Sequence, residues 1–131
     1  MITKEQLIKD CLSLGEECVA DYPYGAFADV LKNKIGKSYA VIGTLNDKDI
    51  KSIKKNCCPN APISDGDINI TLKCSPDLIP IFREQYLAVI PGYYSNKNHW
   101  NTVILNKDVP YEEIIKMVQL SYDLVTPKNK K

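Results

Sequence analysis

The stretch PGYYSNKNHWNTVIL, residues 91–105, gathers most of the side chains in this chain that can do chemistry. His99 is the single histidine and Trp100 the single tryptophan. An imidazole titrates near neutral pH and can act as acid, base or ligand. Lys97 can meet a phosphate as a point charge, and the amides of Asn96 and Asn98 can hydrogen-bond phosphate or base edges. Tyr93, Tyr94 or Trp100 can stack on an unpaired base. The plainer readings are structural: Trp100 filling a core with its N–H bonded, and His99 as a satisfied histidine. A second aromatic group, DYPYG at residues 21–25, sets Tyr22 and Tyr24 around Pro23. Asp21 there can also simply accept bonds from its own turn. Were that turn to fold against 91–99, Tyr22, Tyr24, Tyr93 and His99 would line one aromatic cleft.

The thiols come next. Cys11, Cys18, Cys57, Cys58 and Cys74 are odd in number and irregular in spacing, which fits reduced cysteines in a cytosolic protein. No CxxC pair occurs, and with one histidine no structural zinc site is expected. The adjacent Cys57 and Cys58 can bind soft metals or oxidise, although two thiols in a loop is the plainer reading. Cys74 and His99 could approach across strands as a nucleophile pair, but Cys74 falls on an apolar strand face, where thiols are inert. GxSxG, the P-loop, GxGxxG and HExxH are all absent. These observations predict a chain that is not an enzyme and carries no metal or cofactor. Arg83, the single arginine, reads as a solvated or locally paired charge.

Those residues need a scaffold. The 131 residues, 44% hydrophobic and 25% charged, suit one domain over residues 1–131 with a continuous core. A net charge of +1 is weak support for a dedicated nucleic-acid binder and leaves room for a local basic patch. No apolar run approaches the roughly 20 residues that cross a bilayer. MITKEQLIKDCLSL mixes charges into its apolar residues and lacks a signal peptide's apolar region, so a cytoplasmic location without membrane contact is expected.

Thr3 and Gln6 form a capping box for a helix over about 4–14, with Leu7, Ile8, Cys11 and Leu12 on one face and Gly15 as its stop. AFADVLK and SYAVIGTL read as strands joined by a Lys34–Lys37 hairpin loop. Alternation puts Tyr39, Val41 and Leu45 on one side, and Ala40, Ile42 and Thr44 on the other. Residues 46–66 are the least readable: NDKDIKSIKKN can be a short helix, and CCPNAPISDG a loop. DINITLKC is the clearest strand, with Ile68, Ile70, Leu72 and Cys74 inward and Asn69, Thr71 and Lys73 on a face polar enough to meet solvent or a ligand. Ser75 as N-cap and Pro76 at N1 open a helix whose stripe is Leu78, Ile79, Phe82 and Tyr86, with a kink at Pro80. YLAVIPGYY is extended, HWNTVILN is the last strand, and the last helix starts at Pro110 with Tyr111, Ile114, Ile115, Val118 and Tyr122 on one side. Residues 126–131, TPKNKK, form a frayed basic tail. This order predicts an α+β fold, an antiparallel sheet with helices on one face and the other face open.

LKCSPDLIPIFREQY, PGYYSNKNHWNTVIL and VPYEEIIKMVQLSYDLV, in that order and spacing, resemble the MmcQ/YjbR family of small bacterial proteins. DYPYG followed by a strand and GKSYAVI extend the likeness into the first half. The resemblance implies a CyaY-like fold related to frataxin, a two-layer sandwich. It also implies DNA binding, a label that family carries. Where the family commonly has histidine, this chain has Tyr94, which weakens any metal or acid–base role there. The relation to frataxin raises iron or a protein partner, but helix 1 carries only Glu5 and Asp10 in place of an acidic ridge. The leading expectation is therefore a binding module that uses the open sheet face. Lys37, Lys73 and Lys97 would meet phosphate, with Asn96, Asn98, His99 and Tyr93 on the groove or bases, in weak, salt-dependent DNA binding. The alternative is a protein-interaction or small-ligand module built on the cleft of Tyr22, Tyr24, Tyr93 and Trp100.

Overall fold

The structure, a computed structural model, describes residues 1–15, 17–22, 28–92 and 98–126. Its elements in chain order are α1 (Lys4–Leu12), β1 (Val19–Asp21), β2 (Ala28–Lys32), β3 (Ser38–Thr44), α2 (Asp47–Asn56), β4 (Ile68–Lys73), α3 (Ile79–Gln85), β5 (Val89–Pro91), β6 (Trp100–Ile104) and α4 (Tyr111–Val125). The strands form one antiparallel sheet in the order β1-β2-β3-β4-β6-β5. The fold is α+β, as the order of periodicities predicts. None of the helices among the described residues is long and apolar enough to cross a membrane.

Local chemistry explains most boundaries. Thr3 caps α1 by accepting from Gln6 N, but α1 ends at Leu12 with Ser13 as its cap, short of Gly15. The unreadable stretch does hold a helix, α2, because Asn46 and Asp49 make a reciprocal capping box. The expected Ser75 cap is not one: residues 75–78 form a turn, in which Ser75 O accepts from Leu78 N and Ile79 N. The helix begins at Ile79, so Pro80 falls in its first turn, where no intrahelical backbone bond is lost. Gly36 takes the left-handed conformation of the β2–β3 hairpin, with φ of 82°.

One face of the sheet carries the helices. Asp29, Ile42, Ile70, Val103 and Val89 share a register row on it. Lys4 of α1 pairs with Asp29 at 3.2 Å, and Met117 and Leu120 of α4 and Phe82 of α3 stand over Leu72 and Val103. Strand parity would put Tyr39 on the opposite side. It does not, because Leu31 pairs with Ala40 and Lys32 with Ser38, which leaves Tyr39 as the extra residue of a bulge. Tyr39 instead donates to Cys11 O at 2.9 Å and meets the Tyr122 ring edge-on at 5.2 Å.

The second face is not the open platform its polar residues suggest. Val30, Val41, Thr71, Thr102 and Ile90 make a row across it. Thr71 is 7% exposed and Thr102 is 2% exposed, and their hydroxyls bond each other at 2.8 Å. Two threonines that satisfy one another can sit between half-buried Val41 and buried Ile90, so alternation of polar residues did not mean exposure.

Candidate functional site

The register sorts the sequence candidates by end of the sheet. Lys32, Lys73 and Trp100 lie at one end, where the β2–β3 hairpin, the start of β6 and the close of α4 also gather. Lys37, Asn98 and His99 are exposed there, while Lys73 and Trp100 are half-buried cross-strand partners. Tyr93, Asn96 and Lys97, with Tyr24, lie outside the described residues. Tyr22 is exposed beside Asp21, which pairs with Val30 on the outermost strand. Trp100 is four strands across, about 19 Å at the usual strand spacing, and at the opposite end. Tyr22 and Trp100 therefore do not share a cleft, because they stand at opposite ends of the sheet.

Trp100 is held from below by Gly92. Gly92 N donates to Trp100 O at 3.0 Å, and a Cβ on Gly92 would stand 2.9 Å from Trp100 Cβ, so the Pro91-Gly92 pair admits the close approach only as glycine. Arg83 of α3 reaches over the same strand. Its Nε donates to Asn101 Oδ1 at 2.7 Å and its Nη2 to Trp100 O at 3.2 Å, which ties α3 to β6. Burial lowers its pKa, and the neighbouring Cys57, Cys58 and Cys74 act in the opposite direction.

Three buried polar residues escaped the sequence reading. Ser121 is 0% exposed inside α4. One step past the Ala40–Leu72 pair, Tyr39 and Lys73 should bond each other. Instead the Ser121 hydroxyl stands between them, donating to Tyr39 O at 2.6 Å and accepting from Lys73 N at 2.9 Å. Asn33 fixes the hairpin to the end of α4: its Nδ2 donates to Val125 O and Thr126 Oγ1, and its Oδ1 accepts from Ile35 N and Lys37 N. Asn101 lies in the floor of a groove between α3 and α4. Polar residues inside otherwise apolar periodicities were the one available signal for all three.

The thiols are free. Cys74 N donates to His99 O at 2.8 Å, so the two are strand neighbours, but burial pushes the Cys74 thiol up, the wrong direction for a nucleophile. Cys57 and Cys58 hold their sulfurs 3.3 Å apart, and burial with that contact pushes Cys58 up to about 11. Among the described residues no group of three or more histidine, cysteine or acidic side chains is placed to hold a metal ion.

The fold and these motifs can be set beside known proteins. A crystal structure of a Pseudomonas syringae protein superposes with a TM-score of 0.76 at 24% identity, covering 95% of this chain and 100% of that one. A Deinococcus radiodurans protein superposes with a TM-score of 0.71 at 24% identity, covering 100% of this chain and 83% of that one. Both support the fold alone. The uncharacterized protein YyaQ of Bacillus subtilis is 26% identical over 127 residues, 95% of this chain and 98% of that protein. The uncharacterized protein YjbR of Escherichia coli is 40% identical over 53 residues, 40% of this chain and 45% of that protein's length. The family model YjbR matches residues 13–124, and with the LKC, REQY, PGY, HWNTV and SYDLV segments all inside that span, the chain belongs to the YjbR family.

Proposed function

We propose that this chain is a non-catalytic binding module that meets a nucleic-acid backbone with the hairpin end of its sheet, not with the sheet's second face. The observation that supports this is a group of exposed basic and amide side chains at one end of the sheet. Lys34 and Lys37 are exposed on the hairpin, with half-buried Lys73 and exposed Asn98 and His99 at the same end, where α4 closes. At the other end the acids of the β3–α2, α2–β4 and β6–α4 connections are mixed with Lys48, Lys51, Lys54, Lys55 and Lys107, and Lys107 pairs with Asp67 at 3.2 Å. Lysines grouped on one hairpin can draw a polyanion there although the net charge is only +1. Five free thiols support placing it in the cytoplasm.

Fluorescence anisotropy with labelled duplex and single-stranded DNA at low ionic strength tests this. Binding should weaken with salt, at a log–log slope of about −0.9 for each phosphate neutralised on duplex. The pair Lys34→Glu and Lys37→Glu should abolish it, while Lys48→Glu with Lys51→Glu on α2 should not. No binding at low salt, or equal loss in both pairs, would remove the proposal.

A further inference from the structure

The thiols divide by their surroundings. Cys11 and Cys74 are buried, whereas Cys57 and Cys58 are half-buried where α2 ends, beside exposed Pro59 and Asn60. Backbone bonds hold this pair on both sides. Cys57 N and Cys58 N both donate to Ile53 O, at 2.9 and 2.8 Å, and Cys58 O accepts from Ala61 N at 3.2 Å. Both side chains pack against the core, and their sulfurs meet at 3.3 Å. Neighbouring residues do not converge in regular structure: their side chains stand about 100° apart round a helix and on opposite faces of a strand. Here they converge because Cys57 leaves the helix with φ of −134° and ψ of −68°.

That separation selects what the pair can hold. A disulfide fits poorly: its Cα atoms usually stand at least about 4.4 Å apart, while the trans Cys57–Cys58 peptide sets them about 3.8 Å apart. Tetrahedral zinc, with bonds of about 2.3 Å, spreads two thiolates to about 3.8 Å and needs further protein ligands. Among the described residues no third ligand is placed to join the pair. A linear two-coordinate ion needs its sulfurs on opposite sides. Trivalent arsenic is pyramidal, and its lone pair draws the angle between two sulfurs toward a right angle. With bonds of similar length, about 2.3 Å, a right angle sets the sulfurs about 3.3 Å apart, which is the separation found here. Two thiolates suffice, because oxygen or carbon takes the third position. Burial, ahead of the contact with Cys57, pushes Cys58 up to about 11. A protonated thiol reacts slowly with reagents that need a thiolate. An arsenic oxide needs no resting thiolate, since the oxygen it loses carries the thiol protons away.

We propose that Cys57 and Cys58 form a two-thiol site for a trivalent thiophilic metalloid, with arsenic(III) the element that fits. Each sulfur forms one bond to arsenic, the arsenic–oxygen bonds they replace break, and both thiol protons leave with that oxygen as water. No electrons are gained or lost, so no oxidant is required. The site does not depend on nucleic-acid binding.

Native mass spectrometry of the reduced full chain with phenylarsine oxide, in the presence of excess glutathione as a competing monothiol, tests it. The chain should retain one phenylarsenic group with the loss of one water. Cys57→Ser and Cys58→Ser should each weaken binding by about a hundredfold or more, because each turns a chelate into a single bond. Cys74→Ser should bind as the parent chain does. The loaded chain should melt no earlier than the free one, since arsenic takes the sulfurs where they already stand. X-ray absorption of the chain loaded with arsenite should find two sulfurs and one oxygen on arsenic. No adduct in the parent, an undiminished adduct in either of the first two variants, or an adduct that needs Cys74 would overturn the proposal. So would a lowered melting midpoint, which would mean that the fold must open to admit arsenic, or three sulfurs around arsenic.

Discussion

At the scale of single residues, Ser121 shows how much one hydroxyl can carry. It completes a strand ladder from a helix, satisfying a carbonyl and an N–H that have drawn apart at the Tyr39 bulge. Ser121→Ala leaves both backbone groups buried without a partner. The expected cost is about 1–3 kcal/mol, read as a lower urea midpoint at unchanged m-value. A midpoint equal to that of the parent protein would show that the strands close on each other without the hydroxyl. None of this was visible in SYDLV, where Tyr122 drew attention as core and Ser121 passed as a neutral helix residue. The partners of Ser121 lie 48 and 82 residues away in the chain, and no local pattern carries such contacts. Arg83 was misjudged for the same reason: its partners on β6 are 17 and 18 residues distant, so it is an anchor between elements and not a solvated charge.

At the scale of elements, periodicity and capping located the helices and most strands, and the errors follow from specific rules. Alternation assumed an unbroken ladder, so the bulge moved Tyr39 to the other side of the sheet. Ser75 lies in a turn ahead of α3 and does not cap it, so Pro80 falls in the first turn of the helix. The packing of α1 on α4, in contrast, rests on a pair that the apolar stripe could not show: Tyr111 donates its hydroxyl to Asp10 at 2.5 Å, with Gln6 Nε2 on the same carboxylate at 2.9 Å. The Tyr111 bond first, and the Gln6 bond second, hold the Asp10 carboxyl below its ordinary value. A carboxyl lowered on folding stabilises the native state above its unfolded pKa of about 3.9. That contribution is lost as pH falls through the lower folded value. Tyr111→Phe should therefore be less stable at neutral pH, by under about 1 kcal/mol because the pair is near the surface. The gap between variant and parent should close in acid once Asp10 is protonated in both states. Chemical denaturation at neutral pH and again below pH 3 checks the sign; a gap that widens in acid would contradict it.

At the scale of the whole molecule, composition hid the feature that matters most. A net charge of +1 describes a chain whose acids and bases nearly cancel, yet antiparallel pairing sends alternate connections to opposite ends, so Lys34 and Lys37 stand at the end away from the β3–α2 connection with its Asp47 and Asp49. Sequence order alone could not show which loops share an end, and so it put Tyr22 and Trp100 in one cleft. Asn33 holds Val125 and Thr126 against the β2–β3 hairpin, and Lys128, Lys130 and Lys131 follow Thr126 within five positions of the sequence. A chain ending at Thr126 keeps every contact described here, because α4 closes at Val125, and its thermal midpoint should match that of the full chain. Its affinity for DNA should fall. If all three lysines meet phosphates, the log–log salt slope should become shallower by up to about 2.7, three times the contribution of one phosphate on duplex. A truncated chain with unchanged slope and affinity would assign the electrostatics to the hairpin lysines alone; a truncated chain that melts early would mean that the tail packs against the fold.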